Sequence, residues 1–292
     1  MDALIIVSGL LLIAVGWLDV FHTLLNPSGR GFLTRGVFAA AWATTRRARR
    51  ARVLAGPGSM VVVIALWSGL QVVGWALVYL PSIPEGFAYF IDAQGYNPFV
   101  EAVYFSTTTL TTLGFGDLVP TASWIRIVAP IQALAGFALL TAAASWFVQM
   151  HAALARRRSL ALRLTQAREA GFGDVIAQPG SDASTAVILE SIAASVATVR
   201  VDYLQTSESY YFSEADERAS LSAGLHVAWQ FALSSSHSAD PGVRAAGAVL
   251  TAALHDLADC LRSSFLPGDE STPDILGRYS ADHVFRHRDR SG

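Results

Sequence analysis

Between Thr111 and Asp117 the chain reads Thr-Thr-Leu-Gly-Phe-Gly-Asp, two threonines followed by glycines that alternate with apolar side chains. Gly114 and Gly116 can take positive φ at little steric cost. A backbone built this way can turn successive carbonyls to one side while Leu113 and Phe115 point to the other. Upstream, Asn97 is a good N-cap, Pro98 suits the first helical position and Glu101 the first turn, so a helix over 98–110 leads into the segment. The chain carries its own control. Gly171-Phe172-Gly173-Asp174 repeats four letters of the motif, but Gln166, Ala167, Arg168, Glu169 and Ala170 precede it. With no threonine pair and no apolar span beside it, that copy reads as a helix end and turn.

The flanks of the first copy are long and apolar. Residues 3–25, 59–80 and 124–150 are each long enough to cross a hydrocarbon core of about 30 Å, and with 52% apolar and 15% charged residues the chain is a membrane protein by composition. Residues 26–58 hold seven arginines and no acid, which places them on the cytoplasmic side,. Phe32, Leu33, Val37, Phe38 and Trp42 before the arginine cluster suit an interfacial amphipathic helix, and Arg46, Arg47, Arg49 and Arg50 can anchor to anionic lipid. From Pro81 to Thr121 there is no arginine, so this segment is the outer side, the N-terminus is outside and the C-terminus cytoplasmic. Non-helical backbone at membrane depth is tolerable when buried in protein or lining a water-filled path, so residues 98–117 form a re-entrant helix and loop.

The stretch Pro98–Pro120 resembles the pore helix and selectivity filter of potassium channels. Trp124, Arg126 and Gly136 stand at the same distances from the filter as in the simple bacterial proton-gated members, and Thr141-Ala142-Ala143 with Trp146-Phe147-Val148 resembles their inner-helix ending with one residue removed. The resemblance implies K+ ions held by Thr112, Leu113, Gly114, Phe115 and Gly116, with Thr111, Asp117, Tyr104 and Thr108 supporting them. It implies a homotetramer, since one motif is a quarter of a ring. The commonest pattern has Val and Tyr at 113 and 115, and the proton-gated relatives have a glutamate at 108. Phe115 lacks the hydroxyl that could bond an aromatic cuff. A potassium channel is therefore expected; a non-selective cation channel and a non-conducting membrane scaffold are the alternatives. Pro130 and Gly136 are hinge candidates on the inner helix, though Gly136 can equally serve close helix approach. His151, and Asp19 with His22 one turn apart, are pH-sensing candidates against a plainer role as interfacial anchors.

After a helical extension over 153–170, residues 171–292 read as a soluble helical domain. Ile188, Ile192, Val196, Val199 and Tyr203 share one face of a first helix. Ser213 and Asp216 make a capping box for a second bearing Leu221, Leu225, Trp229 and Leu233. A third opens at Asp240-Pro241 and carries Val243, Leu250, Leu254, Leu257 and Leu261. A short helix from about Thr272 and an Arg- and His-rich tail follow. The expected fold is thus an all-α membrane protein, with three transmembrane helices, a re-entrant pore helix and filter, and a cytosolic helical bundle. Neither a Gly-x-Gly-x-x-Gly motif nor strand patterning points to a nucleotide module. The bundle's partner is open, no organic cofactor is expected, and no constellation suggests an enzyme or nucleic-acid binder. Cys260, the single cysteine, allows no intrachain disulfide and reads as buried.

Overall fold

The computed structural model describes residues 1–24, 31–45, 49–90, 97–178, 183–214 and 216–283. The helices are α1 (Asp2–Leu24), α2 (Phe32–Thr45), α3 (Arg49–Tyr79), α4 (Pro98–Leu110), α5 (Ser123–Glu169), α6 (Phe172–Ala177), α7 (Ala183–Gln205), α8 (Leu221–Ser236), α9 (Pro241–Ser264) and α10 (Thr272–His283). Two short strands, β1 (Phe87–Tyr89) and β2 (Leu118–Pro120), pair antiparallel with Ala88 opposite Val119. Contacts divide the chain into two units: residues 1–40 with 58–148, and residues 41–57 with 149–292.

The first unit is the membrane unit. α1, α3 and α5 are long and apolar enough to cross a bilayer, and the chain is an all-α membrane protein. α1 meets α3 where Gly9 faces Gly74, and a Cβ at either glycine would press on the other's backbone carbonyl. Small residues bring helix backbones together in this way in lipid, where apolar side chains gain nothing by leaving the solvent. Asp19, fully buried in α1, accepts hydrogen bonds from Leu33 N (2.8 Å), Thr34 N (3.3 Å), Thr34 Oγ1 (2.8 Å) and Trp67 Nε1 (2.8 Å). Its carboxylate thereby caps α2 from another helix, where the exposed N–H groups and the helix dipole favour a negative charge. Trp67 packs on Trp146 of α5 with ring centroids 5.2 Å apart, and Phe38 of α2 lies edge-on to the same ring.

The second unit is a helical cluster with an apolar interior. α9 buries Val243, Leu250, Leu254, Leu257 and Leu261 on one stripe, and its N-terminus is capped by Asp240, which accepts from Gly242 N and Val243 N. α7 lies along it, and Gly247 of α9 admits Ser235 of α8 where a Cβ would collide. Cys260 is buried here.

Several elements differ from the sequence reading. α3 begins at Arg49, ten residues before the predicted span, and runs through Pro57, which is exposed. Its first turns belong to the helical cluster, where Arg52 stacks over Trp42 (3.8 Å to the ring centroid) and reaches Asp282. α7 is a fourth helix with the length and hydropathy of a span, yet Leu189, Ile192, Val196, Val199 and Tyr203 are buried in the cluster's core, while Ile188 is exposed. The second bundle helix opens at Leu221 with Ser220 at its cap, because short 3-10 turns occupy 207–211 and 217–219. Leu233, placed by periodicity on its buried face, is 52% exposed. Gly171 takes φ +68 and ends α5, as expected of a helix end, but Phe172–Ala177 then winds a short helix rather than a turn. The Arg- and His-rich tail from 284 lies outside the described residues.

Candidate pore site

α4 is built as its sequence requires. Asn97 caps it by accepting from Phe99 N (2.9 Å), Pro98 holds the first position and Glu101 the first turn. The hydroxyls of Thr107, Thr108 and Thr111 bond back to carbonyls three or four residues earlier, so they are spent within the helix. The Thr108 carbonyl then receives Leu113 N (2.8 Å) and Gly114 N (3.4 Å), which hangs the following segment from the helix end.

In that segment φ is positive at Thr112 (+59), Gly114 (+49) and Gly116 (+80), while Leu113 and Phe115 between them keep negative φ. The two glycines behave as the sequence predicts. Thr112 in the left-handed region does not follow from residue type, because its branched side chain makes that conformation costly. Residues 111–116 are all exposed in the single chain, with Leu113 at 60% and Phe115 at 69%, so neither side chain is packed by its own chain. Beside them lies an open groove of about 480 Å³, bounded by Thr108, Thr109, Thr112, Gly114, Val119, Pro120, Arg126, Ala129, Pro130 and Ala133.

Asp117 ends the segment and is fastened from three sides. Tyr104 Oη donates to its Oδ2 at 2.6 Å, Leu118 N to its Oδ1 at 3.1 Å, and Phe90 N to its backbone carbonyl at 3.0 Å. Tyr104 thus binds the aspartate, while Thr108 turns its hydroxyl to the carbonyls of α4. The β1–β2 pair carries the chain away from the segment, a feature too short to leave a strand signature.

Gly136 of α5 faces the end of α4, and a Cβ there would overlap the Leu110 carbonyl oxygen. Close approach, one of its two sequence readings, is therefore built into the contact. Pro130 is exposed within an α5 that stays helical from Ser123 to Glu169. Asp19 is buried in the hydrogen bonds described above, His22 is exposed with its ring edge-on to Phe21, and His151 is exposed on α5. Arg46 and Arg47 lie outside the described residues; Arg49 and Arg50 form the first turn of α3.

Sequence reasoning missed a polar network behind the segment. Gln132 of α5 donates from Nε2 to Ser106 O and Ser106 Oγ, both at 2.9 Å, and accepts from Tyr79 Oη at 2.9 Å. Ser106 Oγ donates onward to Val72 O at 2.8 Å. Tyr79, Ser106 and Gln132 are all fully buried.

Residues 61–152 match the family model described as ion channel. The chain is 31% identical over 163 residues to the uncharacterized membrane protein YdjJ of Bacillus subtilis (strain 168), an alignment covering 53% of this chain and 47% of that protein. The chain therefore spans about half the length of this relative. No solved structure matches the chain.

Proposed function

From the match of residues 61–152 to the ion-channel family model, we propose that four copies of the chain form a potassium-selective channel. The observation carrying this reading is the alternation of positive and negative φ from Thr112 to Gly116. Such alternation flips successive peptide planes, so the carbonyls of Thr112, Leu113, Gly114 and Phe115 line one side and replace the water shell of K+. Conduction is passive and needs no organic cofactor or enzymatic step. A ring needs neighbours, and the exposed Leu113, Phe115, Ile131 and Leu134 supply apolar surface for them. The arginines of residues 26–58 and their absence from 81 to 121 support an outside N-terminus, a cytoplasmic C-terminus and an anionic-lipid anchor at Arg46, Arg47, Arg49 and Arg50,. The helical cluster, which holds the start of α3 through Arg52, modulates opening.

Purified protein in liposomes tests this reading. Reversal potentials under opposed K+ and Na+ gradients should follow K+, with a tetramer by mass measurement in lipid. Equal permeability would make it a non-selective cation channel, an outcome Phe115 makes worth measuring. A particle monomeric in lipid would remove the channel reading.

A further inference from the structure

We propose that Gln132 is a positioning residue for the filter, an amide that fixes the register of α4 against α3 and α5 and so sets where the filter begins; the inference rests on the potassium-channel reading above. Each polar atom of the amide is used. Its NH₂ group makes both bonds to Ser106, its oxygen takes the Tyr79 hydroxyl, and Ser106 passes the network to the Val72 carbonyl. One α4 residue is thereby tied to both flanking helices.

The placement matters because of what lies one turn further on. Ser106 and Leu110 are four residues apart on α4, as are Gln132 and Gly136 on α5. The amide bonds the first pair, and the second is in backbone contact at the Leu110 carbonyl. These two rungs hold the last turn of α4, whose Thr108 carbonyl receives the N–H groups of Leu113 and Gly114. Apolar contact in lipid discriminates poorly between neighbouring helix registers, whereas a fully bonded buried amide accepts one. A slip of α4 along α5 would break three hydrogen bonds and carry Leu113 and Gly114 with it.

The test compares full-length wild type with Gln132→Leu, Ser106→Ala and Tyr79→Phe, each reconstituted as an assembled tetramer. Each interhelical hydrogen bond removed should shift the equilibrium between α4 registers by roughly threefold, the size such bonds have in membranes, and the potassium-over-sodium permeability ratio should fall as the misregistered fraction grows. Gln132→Leu should therefore exceed the two milder variants, and Ser106→Ala should add little once Gln132 is Leu. Should Gln132→Leu fail to assemble, Tyr79→Phe, which deletes one oxygen, carries the measurement. A role limited to packing would lower thermal stability and leave the ratio unchanged, and that result in assembled variants would overturn the inference alone. A wild type that passes K+ and Na+ equally would remove the potassium reading and this inference with it.

Discussion

Leu134 of α5 and Leu254 of α9 sit on long helices of one chain, 69% and 0% exposed. The contrast runs through both units. In the membrane unit Leu10, Leu11, Ile127 and Leu140 face outward, and close backbone contacts at Gly9, Gly74 and Gly136 and buried polar groups work beside a small aromatic-rich cluster around Tyr79, Phe87, Phe105 and Ile125, whereas the helical cluster turns Leu225, Leu250, Leu254 and Leu257 inward around a larger apolar core. Burial from water organises the second unit. It does not select one arrangement of helices in the first, where close backbone approach and interhelical hydrogen bonds must do so. Polar residues consequently have different neighbours. Gln132 and Asp19 each join three helices of the membrane unit, while in the cluster Asp282 is ringed by aromatic and charged side chains, accepting from Trp42 Nε1 (2.9 Å) and Tyr210 Oη (2.8 Å) and meeting Arg52.

The comparison breaks most readily at Gly136. A valine there would force the Leu110 carbonyl away from α5, a backbone shift that no rotamer change relieves. Overpacking costs about 1–3 kcal/mol in cores that can adjust and more where backbone is the obstacle. Gly136→Val should abolish assembly of the proposed tetrameric pore, read by mass measurement in lipid. Recovery of normal assembly and current would show that the two helices are not held at this contact. Next in size is Leu254→Ala, which leaves a cavity at the centre of the cluster and should cost about 3 kcal/mol, measured by amide exchange along α9 in the intact chain. The same truncation at Leu10, half-exposed on α1, should stay within about 0.5 kcal/mol. Equal effects would erase the distinction between the units.

Much of this division could be read from the residues. The positive φ of Gly114 and Gly116, the Asn97 and Asp240 caps and the α9 stripe all follow from short-range rules, because glycine conformation, capping and helical periodicity act within a few residues. Gln132 could not be found that way. A lone glutamine in an apolar span has no periodic signature, and its partners lie 26 and 53 residues away. Asp19 was legible as a polar residue near a helix end but not as the cap of another helix, since Thr34 and Trp67 come later in the chain. Periodicity also overreached: Leu233 completes a plausible stripe on α8, yet that helix buries Gly224, Val227, Ala228 and Phe231 instead. Small residues on α8 let α5 and α9 approach, and hydrophobicity scales do not register that contact.

The last prediction concerns acid. His283 of α10 is buried against Trp42, Tyr210 and Tyr279, its ring nitrogens 2.8 Å from Tyr210 O and 3.0 Å from Tyr279 O. Burial pushes its pKa from 6.5 down to about 4, and the nearby Arg157 charge acts the same way, against the opposing influence of the two carbonyls and Asp282. For Asp282 burial raises the carboxyl, but hydrogen bonds from Tyr210 and Trp42 with the His283 and Arg52 charges outweigh it, so its pKa is lowered. Between pH 6.5 and 4 the unfolded chain takes up a proton at residue 283 that the folded cluster refuses, and stability falls as the pH falls. Asp282 adds to the loss only below its unfolded value of 3.8, as it protonates on further acidification. At pH 5 the histidine alone should cost the cluster about 2 kcal/mol relative to pH 7.5. Amide exchange over α10 should accelerate accordingly, and His283→Phe should flatten the dependence. Exchange over the last turns of α4, held through Gln132, Ser106 and Tyr79, none of which changes charge between pH 6.5 and 4, should not follow the same curve. If α4 and α10 loosen together across that pH window, the two units share one packing logic and the contrast between Leu134 and Leu254 is superficial.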